Sequence, residues 1–176
     1  ILPEYRAEHG VPEDLKGYDF LKNNQMKWYE DKIKSLSEKY GEVKSFMYMH
    51  IPLPEYTNVI TQNENEEWVF TGKCEVLYGD AFESIGCSSF NSGMFDLIKK
   101  LDSTQAVFSG HDHVNDFCAL YEGVYLVYNQ CGGYETYTME EIAHLPEKAW
   151  QQGVTITCIE PDGNFNISQR LNSMYL

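Results

Sequence analysis

Three histidines stand where metal chemistry is most easily built. His50 follows the hydrophobic run 43–49, His111 follows the run 104–109, and His113 shares with His111 the turn Gly110-His111-Asp112-His113. If the two runs are neighbouring parallel strands about 4.8 Å apart, imidazoles leaving both carboxyl ends can converge on one ion at about 2.1 Å from each nitrogen. An extended turn would put His111 and His113 on one face and one ion. A turn kinked at Gly110 would point them at two ions. His9 and His144 occupy no comparable position and are read as bystanders.

The elements that position these residues follow from the apolar periodicity. Met26, Tyr29, Ile33, Leu36 and Tyr40 recur every three to four residues and Gly41 follows, which predicts an amphipathic helix over 24–40. The run 43–49 predicts a strand, stopped by Ile51-Pro52-Leu53-Pro54, where the prolines remove donors and force extended geometry. Residues 61–67 and 83–92 are polar or rich in Ser, Gly and Cys and read as loops. Asn91 or Ser92 is the expected cap of a second helix through Leu101, with Met94, Leu97, Ile98 and Leu101 on its apolar stripe.

A strand over 104–109 precedes the histidine turn, and 116–121 and 124–129 read as a hairpin around Glu122-Gly123. Thr138-Met139-Glu140-Glu141 has the form of a capping box and predicts a short helix before Pro146. A last hairpin, 154–159 with 164–171, turns at Pro161-Asp162-Gly163. Strand, helix, strand and then antiparallel strands predict an α/β domain, α+β by some schemes, whose first two strands are parallel. Their carboxyl ends then share the edge where open α/β sheets place ligands.

Composition narrows the function. At 176 residues, with 43% apolar, 14% aromatic and 23% charged residues, the chain is neither disordered nor fibrous. Its longest apolar run falls short of the roughly 18 residues of a membrane span. Thirteen basic against twenty-seven acidic residues give a net charge of -14, which argues against binding to nucleic acid or an anionic membrane. An anionic substrate must meet a local cation here, and a bound metal ion would be one.

The five cysteines form no C-x-x-C pair, which excludes a zinc ribbon or thioredoxin motif. Cys74 and Cys87 could bridge in a secreted protein or be buried thiols. The sequon Asn166-Ile167-Ser168 is no more than chance supplies.

Gly110-His111-Asp112-His113-Val114-Asn115-Asp116-Phe117-Cys118 resembles the last signature of the calcineurin-like metallophosphoesterases, and Met49-His50-Ile51-Pro52-Leu53-Pro54-Glu55-Tyr56 resembles the one before it. The strings are most similar to the purple-acid-phosphatase-related branch. Asn91-Ser92-Gly93 before a helix, and a hairpin after the histidine turn, fit as well, so the resemblance covers 18–137. It implies a two-sheet β-sandwich flanked by helices, with two metal ions at the carboxyl edge. It also implies a metal-dependent phosphoester hydrolase of acid-phosphatase type, with divalent or mixed-valence Fe, Zn or Mn. His50 and His111 would ligate one ion and His113 the other. Asp112 would shape the turn, while Asn115 and Asp116 would satisfy backbone groups or hold an imidazole from behind. Glu55 and Tyr56 are placed at the rim of the substrate cleft.

The family's earlier signatures, Asp-x-His, Gly-Asp-x-x-Asp and Gly-Asn-His, have no counterpart in order. Gly79-Asp80 is the nearest and comes after His50. The chain is therefore expected to be the carboxyl-terminal part of one metallophosphoesterase domain, with its start at Ile1, in an irregular stretch over 1–17, a cut inside a longer polypeptide. The expected partners are a phosphoester substrate and either the missing amino-terminal half or a second copy covering an open sheet edge. The branch and the cysteines favour the secretory pathway. Two readings compete: a single-zinc enzyme using all three histidines, and a non-catalytic acidic interaction module.

Overall fold

The computed structural model describes residues 7, 10, 11, 13, 18–133, 137, 141 and 152–172. The expected helix from Thr138, the two bystander histidines and almost all of the irregular opening stretch lie outside the described residues.

Helix α1 spans Asn23–Tyr40 and strand β1 spans Ser45–Tyr48. A one-turn 3₁₀ segment, Pro54–Asn58, leads to β2 (Ile60–Gln62), β3 (Trp68–Phe70) and β4 (Glu75–Tyr78). Helix α2 (Met94–Leu101) precedes β5 (Thr104–Ser109), β6 (Cys118–Tyr121) and β7 (Val124–Tyr128). The hairpin of β8 (Gly153–Ile159) and β9 (Phe165–Leu171) follows.

Five strands form one mixed sheet in the order β1-β5-β7-β6-β4. β1 runs parallel to β5, and β5 parallel to β7, while β6 returns antiparallel between β7 and β4. β1, β5, β7 and β4 therefore run the same way and end at one edge, and α/β class is the observed architecture. Residues 61–67, expected as a loop, begin inside a small hairpin in which Ile60, Thr61 and Gln62 pair with Phe70, Val69 and Trp68. The second helix starts later than expected. Gly93 is its N-cap, and the Asn91 side chain serves the approach by accepting the Gly93 N–H at 2.8 Å.

Alternation along the strands splits the core. Val107, Ala119 and Leu126 face the helices, packing with Tyr29 and Ile33 of α1 and Met94, Phe95 and Ile98 of α2. Ala106, Phe108, Cys118 and Val127 face the other way and meet Phe165 and Ile167 of the last hairpin. Helices on one face and a hairpin on the other make the sheet one layer of a sandwich. Full burial of Ile98, Val107 and Leu126 contributes about 1.5–3 kcal/mol per side chain. Among the described residues no helix is long and apolar enough to cross a membrane.

All five cysteines are free thiols, so Cys74 and Cys87 are not bridged. Burial pushes the Cys118 thiol up to about 12. Burial also raises Cys87, with the Asp112 and Glu55 charges adding to the effect, so this thiol near the histidine turn is held in its protonated, unreactive form.

Candidate metal centre

The parallel pairing of β1 and β5 sets Tyr48 opposite Phe108 and continues one step past the strands, where the Met49 N–H donates to the Phe108 carbonyl at 2.9 Å. His50 and His111 therefore leave neighbouring strand ends together. His111 Nδ1 lies 3.1 Å from His50 Nε2, with the rings nearly perpendicular at 79°. At this separation one imidazole can donate to the other. Equally, two nitrogens 3.1 Å apart can both lie about 2.1 Å from one ion, with an angle near about 95° between them, as adjacent corners of an octahedron require. His50 is exposed and His111 half-buried, so an ion could reach them. Tyr18 abuts the His111 ring edge-on, centroids 4.4 Å apart.

The turn is held in a kinked shape by Asp112. Its buried carboxylate accepts the Tyr128 hydroxyl at 2.5 Å and the Gly86 N–H at 2.9 Å, and its own N–H donates to the Tyr128 oxygen at 2.8 Å. Burial, and then the Asp112 charge, push the Tyr128 hydroxyl well above the usual phenol range, so it stays a donor. Tyr128→Phe leaves a buried carboxylate and an N–H short of a partner. We expect a loss of about 1–3 kcal/mol in a urea unfolding curve, and an unchanged midpoint would refute this reading of the pair.

Asn115 and Asp116 tie the turn to the segment before α2. Asn115 Oδ1 accepts the Phe82 and Glu83 N–H groups at 2.9 and 3.2 Å, its amide donates to the Glu83 carbonyl at 3.1 Å, and Asp116 Oδ1 accepts the Asp80 N–H at 3.0 Å. The backbone-satisfying alternative thus describes these bonds. His113 is directed elsewhere. Its ring stacks on Tyr137, centroids 4.9 Å apart and planes 11° apart.

The cleft expectation for Tyr56 needs correction. Tyr56 is wholly buried, and its hydroxyl donates to the Val107 carbonyl at 2.6 Å and the Val127 carbonyl at 3.1 Å. It is a core residue knitting the 3₁₀ turn to the sheet, because a ring that size at the foot of the Pro-rich segment fills the gap over β5 and β7. Glu55 is engaged by the Asn91 amide at 2.6 Å. The cleft beside His50, about 540 Å³, runs instead through Asp19, Phe20, Lys22, Pro52, Pro54 and Phe90. Lys22 pairs there with Asp19 and lies 3.7 Å over the Phe20 ring. The sequence reading missed Gly86, whose backbone passes so close that a Cβ would lie 2.7 Å from His111 Cδ2. Only its place in a Ser, Gly and Cys loop hinted at it.

Among the described residues no group of three His, Cys, Asp or Glu side chains is placed to hold an ion. The described residues bring two imidazoles together at this edge.

Comparison with known proteins gives a consistent relationship. "Probable inactive purple acid phosphatase 29" of Arabidopsis thaliana is 32% identical over 131 residues, 70% of this chain and 31% of the relative. "Probable inactive purple acid phosphatase 14" of the same plant is 33% identical over 149 residues, 78% of this chain and 34% of the relative. "Phosphatase DCR2" of Saccharomyces cerevisiae is 34% identical over 102 residues, 58% of this chain and 16% of the relative. The chain spans about a third of the length of the plant relatives. No protein-family profile and no solved structure matches it. The fold and these relatives make the chain phosphatase-related. More narrowly, it belongs to the purple-acid-phosphatase-related metallophosphoesterases.

Proposed function

We propose that this chain carries the histidine portion of a two-metal phosphoesterase centre, with His50 and His111 on one ion and His113 on the other. The observation that carries the reading is the 3.1 Å approach of His50 and His111 at adjacent parallel strand ends. The stacking of His113 on Tyr137 supports a separate ion for it. Fe, Zn or Mn at such a centre would polarise a phosphoryl group and activate water. The chain's own part is to offer neutral imidazoles, hold their turn through Asp112, and border a cleft that takes the ester beside His50. A single-zinc site needs three converging donors, and the described residues bring two together.

The carboxylate ligands, in this reading, come from the amino-terminal half of the same domain, this chain being its carboxyl-terminal part. β1 is an edge strand of the five-stranded sheet, and a cavity of about 410 Å³ beside it is lined by Met26, Trp28, Tyr29, Met47, Tyr48 and Met49. Trp28 is 64% and Tyr48 67% exposed, an apolar surface that the other half, or a second copy, would cover. We place the protein in the secretory pathway on the family relationship.

Calorimetric titration of the full-length protein with Mn²⁺ or Zn²⁺ tests the site. His50→Ala and His111→Ala should each weaken the same ion on the order of 100-fold or more, and hydrolysis of an aryl phosphate should fall with it. Unchanged affinity in both variants would sink the proposal. A second reading, a phosphatase fold kept without turnover, is favoured by the word "inactive" in the names of three relatives. Tight metal binding with no hydrolysis by the wild type would select it.

A further inference from the structure

We propose that Tyr137 and Glu83 form a clamp that fixes the orientation of the His113 imidazole, making both of them positioning residues for the second ion. That His113 is a ligand rests on the reading above. The clamp itself stands on contacts that need no ion.

Three contacts close a circuit. The Tyr137 hydroxyl accepts the His113 backbone N–H at 3.0 Å and donates to Glu83 Oε1 at 2.7 Å, and that same oxygen accepts the Val114 N–H at 3.2 Å. The turn is therefore gripped at two consecutive backbone donors by one hydroxyl–carboxylate pair. Glu83 is fixed in turn, because fully buried Asn115 bonds both its N–H and its carbonyl. A loop before α2, the histidine turn and the segment after β7 thus lock one another.

The stacking adds the ring's own orientation. At 11° between planes, Tyr137 covers a face of the imidazole. Imidazole ligates through lone pairs in the ring plane, so a partner stacked on the face restrains rotation without itself taking up a lone pair. Restraint of this kind lowers the ordering entropy that a free side chain would lose on binding an ion. The hydroxyl must accept and donate at once, which only the protonated phenol can do.

The test has two readouts on the full-length protein. In the metal-free protein, proton NMR should show the His113 ring signals, assigned by their loss in His113→Ala, shifted upfield by the Tyr137 ring current. Tyr137→Leu should abolish that shift and Tyr137→Phe should keep it. In titrations with Mn²⁺ or Zn²⁺, Tyr137→Leu should weaken one ion about 10- to 100-fold and leave the ion held by His50 and His111 unaffected. Tyr137→Phe, which keeps the ring and loses only the hydroxyl, should weaken that same ion about 10-fold, and it carries the test if Tyr137→Leu fails to fold. An unshifted His113 ring in the wild type, or wild-type affinity for both ions in Tyr137→Leu and Tyr137→Phe, would overturn the clamp. A shifted ring in a wild type that binds no metal would establish the clamp and overturn the two-metal reading instead.

Discussion

Gly86→Ala is expected, on the proposed metal reading, to weaken divalent-ion binding at His50 and His111 by about 10- to 100-fold while the fold survives. A Cβ at this position would lie 2.6 Å from Asp112 Oδ1 and 2.7 Å from His111 Cδ2. Both are side-chain atoms, so the overlap can be relieved by turning rings and carboxylates rather than by moving a strand. Asp112 is the less free to turn, since its other oxygen is held by the Tyr128 hydroxyl and the Gly86 N–H. The His111 ring therefore moves, and with it the 3.1 Å approach to His50. Calorimetric titration beside a thermal melt checks this. Wild-type affinity in a folded variant would show that the loop does not set the His111 ring.

Gly79→Ala should instead unfold the domain or cost at least about 3 kcal/mol, read as a shift in the urea midpoint. Gly79 sits at φ 87°, a left-handed conformation that disfavours any Cβ, and the added carbon would lie 2.0 Å from the Asp116 carbonyl and 2.7 Å from the Phe117 Cα. Those are backbone atoms, pinned because Asp80 and Asp116 exchange hydrogen bonds and the Tyr128 N–H donates to the Phe117 carbonyl at 2.7 Å. Nothing can yield without parting the turn from β7. A wild-type midpoint would mean that the two segments are not held at this distance in solution.

Elements set by local periodicity or punctuation could be read from the sequence. The helix expected over 24–40 is α1 (Asn23–Tyr40), and the hairpins turn at Glu122-Gly123 and Pro161-Asp162-Gly163, where Gly123 and Gly163 take positive φ. The parallel order of β1 and β5 followed from a helix lying between them, and it was enough to bring His50 and His111 together. Contacts fixed by tertiary fit were not legible. Tyr56 was placed at a rim because it adjoins a histidine motif, yet its neighbours across the sheet, Val107 and Val127, are 51 and 71 residues away. Gly86 and Glu83 carry no motif, and their importance comes from what the turn presses against them.

The pairing of β1 with β5 also has a consequence for how the protein is assembled. β6 and β7 meet across a two-residue turn, whereas His50 and His111 are 61 residues apart in the chain. Bringing distant segments together costs loop-closure entropy that rises with the logarithm of their separation, so the imidazole pair depends on the widest closure in the sheet. An ion seated there would favour the closed arrangement by mass action. On the proposed reading, the first metal is a clasp as well as a reagent, fastening the β1 edge strand to the rest of the sheet.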